Sequence, residues 1–492
     1  MADKTLDVII IGAGISGINT AYRLQEGLPD CSYAILDARS EMGGTWSLFK
    51  YPGIRSDADL HTFGFAWEPW KEDRAYADGP SILRYLKKAA AKHGIDKHIR
   101  YQQKVLRADW SSGVQNWKVE VLVNQTEKMN IYCRFIVLGT GYYDYTQGLN
   151  TKIPGIESFK GTVVHPQFWP KNFDYSNQKV VIIGSGATAA TLVPAMSEKV
   201  SQVTMLQRSP SYFITIPLSS SLAGFIRRWL PENLALRLIR IRYLLLAYFL
   251  VYFCQIFPNK SKEILRKQTE SQLPKNIPHD PHFVPSYLPW QQRMCIIPGG
   301  DFFAALRTGK ANIITDHIET VKEKSIRLKS GQELDADIII TATGLKMLFA
   351  GGTKFFVDGE EHHPADKHVW HGALLQDFPN LAFIFGYTNA PWTLGADAAS
   401  QLFVRLLKGL RKRGMASMVP RIKDSRSVKE VPWLDLNSSY IKAAVEHRVL
   451  PKGGDIGPWK PRGNFLQDYM HARWGDITTG LQFYPIRPAQ KE

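Results

Sequence analysis

Apolar residues in this chain come in short blocks that stop at glycine. Residues 8–11 form a run of four β-formers ended by Gly12, and 179–183 form a second ended by Gly184. Runs of this length, bounded by glycine, read as buried strands of a parallel sheet. Further strands are predicted at 105–110, 117–123, 129–138, 203–207 and 337–342, and helices over 82–93 and about 396–413. Two of the strands end at Thr-Gly, in Gly139-Thr140-Gly141 and Ala342-Thr343-Gly344, where a backbone can approach another segment closely. The later copy, followed by LAFIFGYTN and the last helix, is expected to return the chain to its first unit. The prediction is therefore an α/β protein with two Rossmann-like dinucleotide-binding domains. The first is discontinuous, 1–146 with 341–492; the second, 147–340, is inserted into it and carries a helical insertion of about 218–295.

The glycine blocks carry the first chemistry. Gly12, Gly14 and Gly17 leave room for a tight turn, for a pyrophosphate against backbone N–H groups, and for close helix–strand packing. Asp37 ends the next apolar run about 20 positions on, where a carboxylate accepts hydrogen bonds from ribose hydroxyls. The second block has Gly184, Gly186 and Ala189, but the corresponding position holds Arg208, followed by Ser209. A guanidinium there suits the 2′-phosphate of NADP, which an aspartate would repel; the plainer alternative is a solvated surface charge.

Between the acid and the second block, Glu41–Asp57 reads EMGGTWSLFKYPGIRSD. Disulfide reductases built on two nucleotide sites carry a cysteine pair in this region to take electrons from flavin; here there is none, so reduced flavin must pass them elsewhere, with O2 the obvious acceptor. The four cysteines (31, 133, 254 and 295) show neither metal-ligand spacing with histidine nor the density of a small secreted scaffold, and no metal is expected. The first strand begins by about residue 7, which leaves no space for a secretion signal, so the expected location is the cytoplasm.

Net charge changes the picture modestly. Sixty-one Lys+Arg against 45 Asp+Glu give +16, a field that attracts anions, while no zinc-finger or RNA-recognition pattern favours nucleic acid as a partner. Residues 243–257 read YLLLAYFLVYFCQIF without a charge and lie among Arg237, Arg240, Arg242, Lys260 and Lys262. Three settings fit that run: a buried helix of the insertion, an interfacial element making peripheral membrane contact through 237–262, and, though it falls short of the usual ~20 residues, a span.

Gly43, Gly44, Trp46, Tyr51, Pro52, Gly53 and Asp57, taken with FKGTVVHPQFWP at 159–170 (Phe159, Gly161, His165, Trp169, Pro170), resemble both fingerprints of the type I Baeyer–Villiger monooxygenases. The terminal Trp-Pro distinguishes them from the related flavin N-oxidases. The resemblance covers nearly the whole chain, and segments 289–319, 336–345 and 386–397 are most similar to the ethionamide-activating branch. It implies FAD in the first site and NADP(H) in the second. Reduced flavin would bind O2 as a C4a-peroxyflavin that attacks a ketone, giving an ester or lactone. It also implies that Arg293 is the fixed cation stabilising developing negative charge, with Asp57 positioning it. FAD contacts are expected at Gly12, Gly14, Ser16, Gly17, Asp37, Gly44, Thr45, Trp46, Ser47, Asp57 and Val105. NADP contacts are expected at Arg55, Ser56, Gly184, Ser185, Gly186, Ala187, Thr188, Ala189, Ala190, Arg208 and Ser209.

His165 is read as a hydrogen-bonding residue between the nucleotide domains, and Trp46 and Trp169 as packing residues. The chain departs from the family pattern in having Gln292 where lysine often precedes the catalytic arginine, Lys171 where aspartate is common, and Asp37 in place of glutamate. A pocket is expected near Phe283, Tyr287, Trp290, Phe302, Phe303 and Trp392, suiting bulky ketones and, through an electrophilic oxygen donor, thioethers or thioamides. The competing readings are an S- or N-oxygenating flavoprotein and a noncatalytic NADP/FAD redox sensor.

Overall fold

The long strand Glu127–Leu138 organises the larger of two sheets in the computed structural model, which describes residues 5–292, 294–387, 390–434 and 439–487. Its first half pairs antiparallel with Asn116–Val123, which pairs with Gln103–Ser111. Its second half runs parallel to Leu6–Ile11 on one side and to Leu381–Phe383 on the other. Tyr33–Leu36 and Ile99–Arg100 extend the parallel part beyond Leu6–Ile11. Val8 and Ile10 pack under helices that include Ile15–Gly27, Gly79–Lys92 and Trp392–Lys412, while Ile9 and Ile11 face the antiparallel wing. Both faces are covered, so consecutive rather than alternating apolar residues suit this strand. The helix expected from residue 82 begins at Gly79 because Asp78 accepts from the backbone N of Ser81 at 2.7 Å and Pro80 occupies the first turn.

The second sheet is wholly parallel, in the order Ala311–Thr315, Gln202–Gln207, Lys179–Ile183, Ile338–Thr341, Thr162–Val164. Helices Ala187–Ser197 and Asp301–Arg307 cover one face, and a small antiparallel sheet of Ile318–Val321, Ser325–Leu328 and Glu333–Asp335 covers the other. The chain passes between the two sheets through a single ladder, Tyr143–Gly148 against Leu345–Met347. The α/β class with two Rossmann-type sheets is as the sequence led one to expect.

The Thr-Gly endings now have a geometric reason. Gly12 sits at φ +105°, and a Cβ there would lie 2.7 Å from the carbonyl oxygen of Gly139; at Gly17 a Cβ would meet the Gly12 oxygen at 2.0 Å. Gly184, at φ +139°, stands in the same relation to Ala342, 2.3 Å from its oxygen. Each strand end passes directly beneath a glycine loop.

Three helices, Ser221–Trp229, Glu232–Ile256 and Pro258–Glu270, leave the second sheet after Phe213–Ile216, which pairs parallel with Cys295–Pro298 on the return. The apolar run from 243 belongs to the 25-residue helix Glu232–Ile256, in which only Ala235, Leu236, Ile239 and Cys254 are buried. The buried-helix setting is therefore corrected: apolar side chains on its outer side face solvent. Among the described residues no helix is long and apolar enough to cross a membrane.

Candidate functional site

The first glycine loop meets the 43–48 segment across a narrow gap. A Cβ on Gly44 would lie 3.2 Å from the Cα of Gly14, and the nearest atom to a Cβ on Gly14 would be the Cα of Gly44, at 3.7 Å. Two backbones without side chains, one leading into helix Ile15–Gly27, form a cradle of the kind a pyrophosphate needs. Asp37 stands beside it, buried, its Oδ2 accepting from the N–H of Ala13 at 2.7 Å and its Oδ1 from that of Arg39 at 2.8 Å. Burial raises its pKa, opposed by those two N–H donors and by the Arg39 charge. Each carboxylate oxygen keeps a further lone pair for a ribose hydroxyl.

The other expected contacts of this loop divide. Ser16 is buried and its Oγ accepts from Nε1 of Trp392 at 2.9 Å. Thr45 shares a 3.4 Å hydrogen bond with Tyr145. Trp46 packs edge-on against Phe63. Ser47 is buried and engaged by Arg39, which also donates to the carbonyl of Gly44 at 3.1 Å. Val105 is a buried residue of the strand Gln103–Ser111. Arg39 and Tyr145, which fix this loop, were not picked out from the sequence: a basic residue two positions after an acid and a tyrosine in a polar strand carry no local signal.

In the second unit, helix Ala187–Ser197 starts directly after Gly186, where an added Cβ would meet nothing within 4 Å. Gly186 and Ala187 are exposed, Ala189 and Ala190 buried behind them. Arg208 and Ser209 are exposed at the end of Gln202–Gln207, on the same side as the loop. Ser185 Oγ accepts from Ser211 at 3.2 Å, and Thr188 shares a hydrogen bond with Tyr51, whose hydroxyl burial pushes up to about 12. The open Gly186, the helix N-terminus and the exposed arginine fit a dinucleotide carrying an extra phosphate.

The turn Tyr51–Pro52–Gly53 brings the two units together. A Cβ on Gly53 would lie 2.7 Å from that of Ala195, so the turn sits on the second unit's helix. Arg55 forks onto Asp301, with Nη2 to Oδ1 at 3.1 Å, and Ser56 is buried with its hydroxyl donating to the Ala58 carbonyl at 2.7 Å. Their side chains thus hold the segment in place. His165 packs against Gly148 of the connecting ladder, and Trp169 lies edge-on to Phe173 and Tyr175.

Asp57 follows this turn and lines a cavity of about 290 Å³. Its other walls are Ala58, Asp59, Tyr76 and Ile216, helix residues Tyr243, Leu246, Ala247, Leu250 and Val251, and Trp290, Gln292, Met294, Ile296, Ala390 and Pro391. The lining is mostly apolar, with the carboxyl groups of Asp57 and Asp59, the amide of Gln292 and the hydroxyls of Tyr76 and Tyr243, a composition that suits a largely apolar molecule with a polar group. Asp59 is buried, caps the helix Leu60–Phe63 through the Thr62 N–H at 2.8 Å, and has its carboxyl pushed up by burial. Of the six aromatic residues expected at the pocket only Trp290 lines it. Phe302 and Phe303 lie in the core of the second unit, Phe283 lines a different cavity, Tyr287 packs on Tyr212, and Trp392 stacks on Tyr142. Arg293, the expected catalytic cation, lies outside the described residues, although both neighbours, Gln292 and Met294, line the cavity.

Two glycine loops, each leading into a helix, suit a protein that binds two nucleotides, and similarity to known proteins gives its class. Residues 5–359 match the model of the flavin-binding monooxygenase-like family, and the chain belongs to it. It is 43% identical over 486 residues to the FAD-containing monooxygenase EthA of Mycobacterium tuberculosis, covering 98% of each chain. It is 42% identical over 478 residues to the probable FAD-binding monooxygenase AlmA of Acinetobacter baylyi, covering 96% of this chain and 95% of that one. Among solved structures, an oxidized steroid monooxygenase bound to NADP superposes with TM-score 0.75 at 18% identity, over 98% of this chain and all of that one. Cyclohexanone monooxygenase from Rhodococcus sp. Phi1 bound to NADP+ superposes with TM-score 0.72 at 16% identity and the same coverage. The chain is an enzyme, a flavin monooxygenase.

Proposed function

We propose that this enzyme uses NADPH and O2 to insert oxygen into ketones, giving esters or lactones, with FAD in the first cradle and NADP(H) in the second. The observation that carries this reading is the apolar cavity at Asp57, beside the 51–57 turn that packs on the second unit's helix. We assign residues 1–146 and 341–492 to the FAD domain and 147–340, with its helical insertion, to the NADP domain. Gly12, Gly14, Gly17, Gly44, Thr45, Trp46 and Ser47 surround the flavin nucleotide, while Ser16 and Val105 line its site and Asp37 accepts from its ribose. Gly184 to Ala190 receive the second pyrophosphate, Arg208 and Ser209 its 2′-phosphate, and Arg55 and Ser56 the nicotinamide side.

When bound, FAD reduced by NADPH supplies the oxygen-activating chemistry. The chain's part is to bind, orient and exclude water. Apolar walls from Tyr243 to Val251 desolvate the substrate, which strengthens every charge interaction inside. Arg293 supplies a permanent positive charge where negative charge develops on the substrate oxygen, and Asp57 fixes its orientation. The same cavity admits thioethers and thioamides, since its lining carries little that demands a carbonyl.

The test is purified protein with NADPH and a panel of linear, cyclic and aryl ketones and sulfides, with product mass measured. A ketone-dependent gain of one oxygen, lost in Arg293→Ala, is expected. Oxidation of sulfides or amines alone would replace the reading with heteroatom oxygenation, and FAD-containing protein that consumes no NADPH with any substrate would overturn it in favour of a noncatalytic sensor.

A further inference from the structure

Helix Glu232–Ile256 carries two apolar stripes rather than one. Tyr243, Leu246, Ala247 and Leu250 face the cavity at Asp57. Leu238, Ile241, Leu245, Phe249, Tyr252 and Ile256 recur every three or four residues along a different face, and all are exposed. That spacing ordinarily marks the side of a helix that packs on a core. Here Leu245, Phe249 and Ile256 are 66%, 67% and 63% accessible, and Phe225 and Trp229 on the preceding helix are as open. An apolar surface of this extent marks a contact with something else.

Charge says what. Residues 218–270 contain nine Lys+Arg and three Glu, and Arg228, Arg237, Lys260 and Lys262 are exposed. A second copy would set one cationic surface against another. An anionic bilayer instead accepts the rings and aliphatic chains at the level of its acyl boundary while the flanking cations meet its headgroups, the arrangement of a helix lying in the plane of the interface. Leu246 links this surface to the site: it is 47% exposed and also lines the cavity, so the cavity wall and the outer surface meet at one side chain.

We infer that the outer face of this helix docks on anionic membrane and that the cavity at Asp57 takes water-insoluble apolar substrates directly from the lipid. Docking stands by itself; delivery rests on the oxygenation proposed above.

Flotation of the purified holoenzyme with vesicles of phosphatidylcholine, with and without phosphatidylglycerol, tests docking. Expected is salt-sensitive binding to the anionic vesicles, weakened by Arg228→Glu with Lys260→Glu. It should fall by about tenfold or more in Leu245→Glu with Phe249→Glu, since each large apolar side chain returned to water costs at least that factor. Flavin absorbance, melting temperature and turnover of a short water-soluble ketone should stay unchanged in the second pair. Holoenzyme that stays in the buffer with both vesicle types overturns docking, and so does a vesicle-free dimer that Phe249→Glu converts to monomer. For delivery, KM for a long-chain ketone held in vesicles should rise in that pair while KM for the short ketone does not; parallel behaviour overturns it. If the wild type oxidises neither ketone, the oxygenation reading and delivery fall together while flotation still decides docking.

Discussion

Arg240 ties the helical insertion to the segment that carries Asp57. From helix Glu232–Ile256 its Nη1 donates to the carbonyl of His61 at 2.7 Å and to that of Gly64 at 2.8 Å, at the C-terminal end of the short helix Leu60–Phe63. A cation there also complements the helix dipole. Arg240→Met keeps most of the side-chain volume but leaves two carbonyls without their donor, each costing about 1–3 kcal/mol. Part of that is offset, because the guanidinium is itself desolvated and held below its usual pKa, with attraction to Asp397, Tyr85 and Asp59 opposing the shift. The net loss should be about 2–4 kcal/mol. With an unfolding entropy of about 2.1 cal/mol/K per residue over 492 residues, each kcal/mol moves a cooperative melting point by about 1 °C. Melting of the holoenzyme should therefore drop by about 2–4 °C. Oxygenation should lose kcat/KM as the 57–64 segment loosens, and Arg240→Lys should fall between. A Met variant that melts within half a degree of the parent with full activity would refute this account of what holds Asp57 in place.

Arg208→Ala should raise KM for NADPH by about 10- to 100-fold and leave KM for NADH nearly unchanged, since one charge-assisted contact to phosphate is worth about 1.5–3 kcal/mol; equal effects on both would mean the arginine is a solvated surface charge. Gly44→Ala places a side chain at φ +54° and ψ −122° and within 3.3 Å of the Tyr145 hydroxyl, so the variant should be less stable by about 1–3 kcal/mol and be purified with less flavin, read from absorbance. Acid stability is set in part by His61, whose pKa burial and the nearby Arg227 lower from 6.5 to about 4, and by His371, lowered to about 3 by burial and by the stacked His471. Both residues take up protons on unfolding, so their contribution is fully present above about pH 6.5 and declines as pH falls toward the folded values, by up to about 3 kcal/mol for His61. Urea midpoints should slope downward below that pH, and His61→Gln should flatten the slope.

What the sequence determined by itself was whatever is encoded locally. The glycine loops, the strands feeding them, Asp37 and Arg208 are set by backbone conformation and by spacing along one chain segment, so the elements that carry them could be read off directly. The chemistry of the class was legible for the same reason, in motif residues between 43 and 57 and between 159 and 170. The tertiary structure decided what depends on distant segments meeting. Arg55 looks from the sequence like a nucleotide contact, and only the fold reveals Asp301 gripping it from 246 positions away. The aromatic residues near 283–303 look like a pocket, yet Phe302 and Phe303 fill the core of the second unit, and the cavity wall comes instead from the helix at 243–251. That helix shows why: an apolar run does not say which of its faces will be covered, because coverage is a property of the neighbours, and here one face lines the cavity while the other is left to the surroundings.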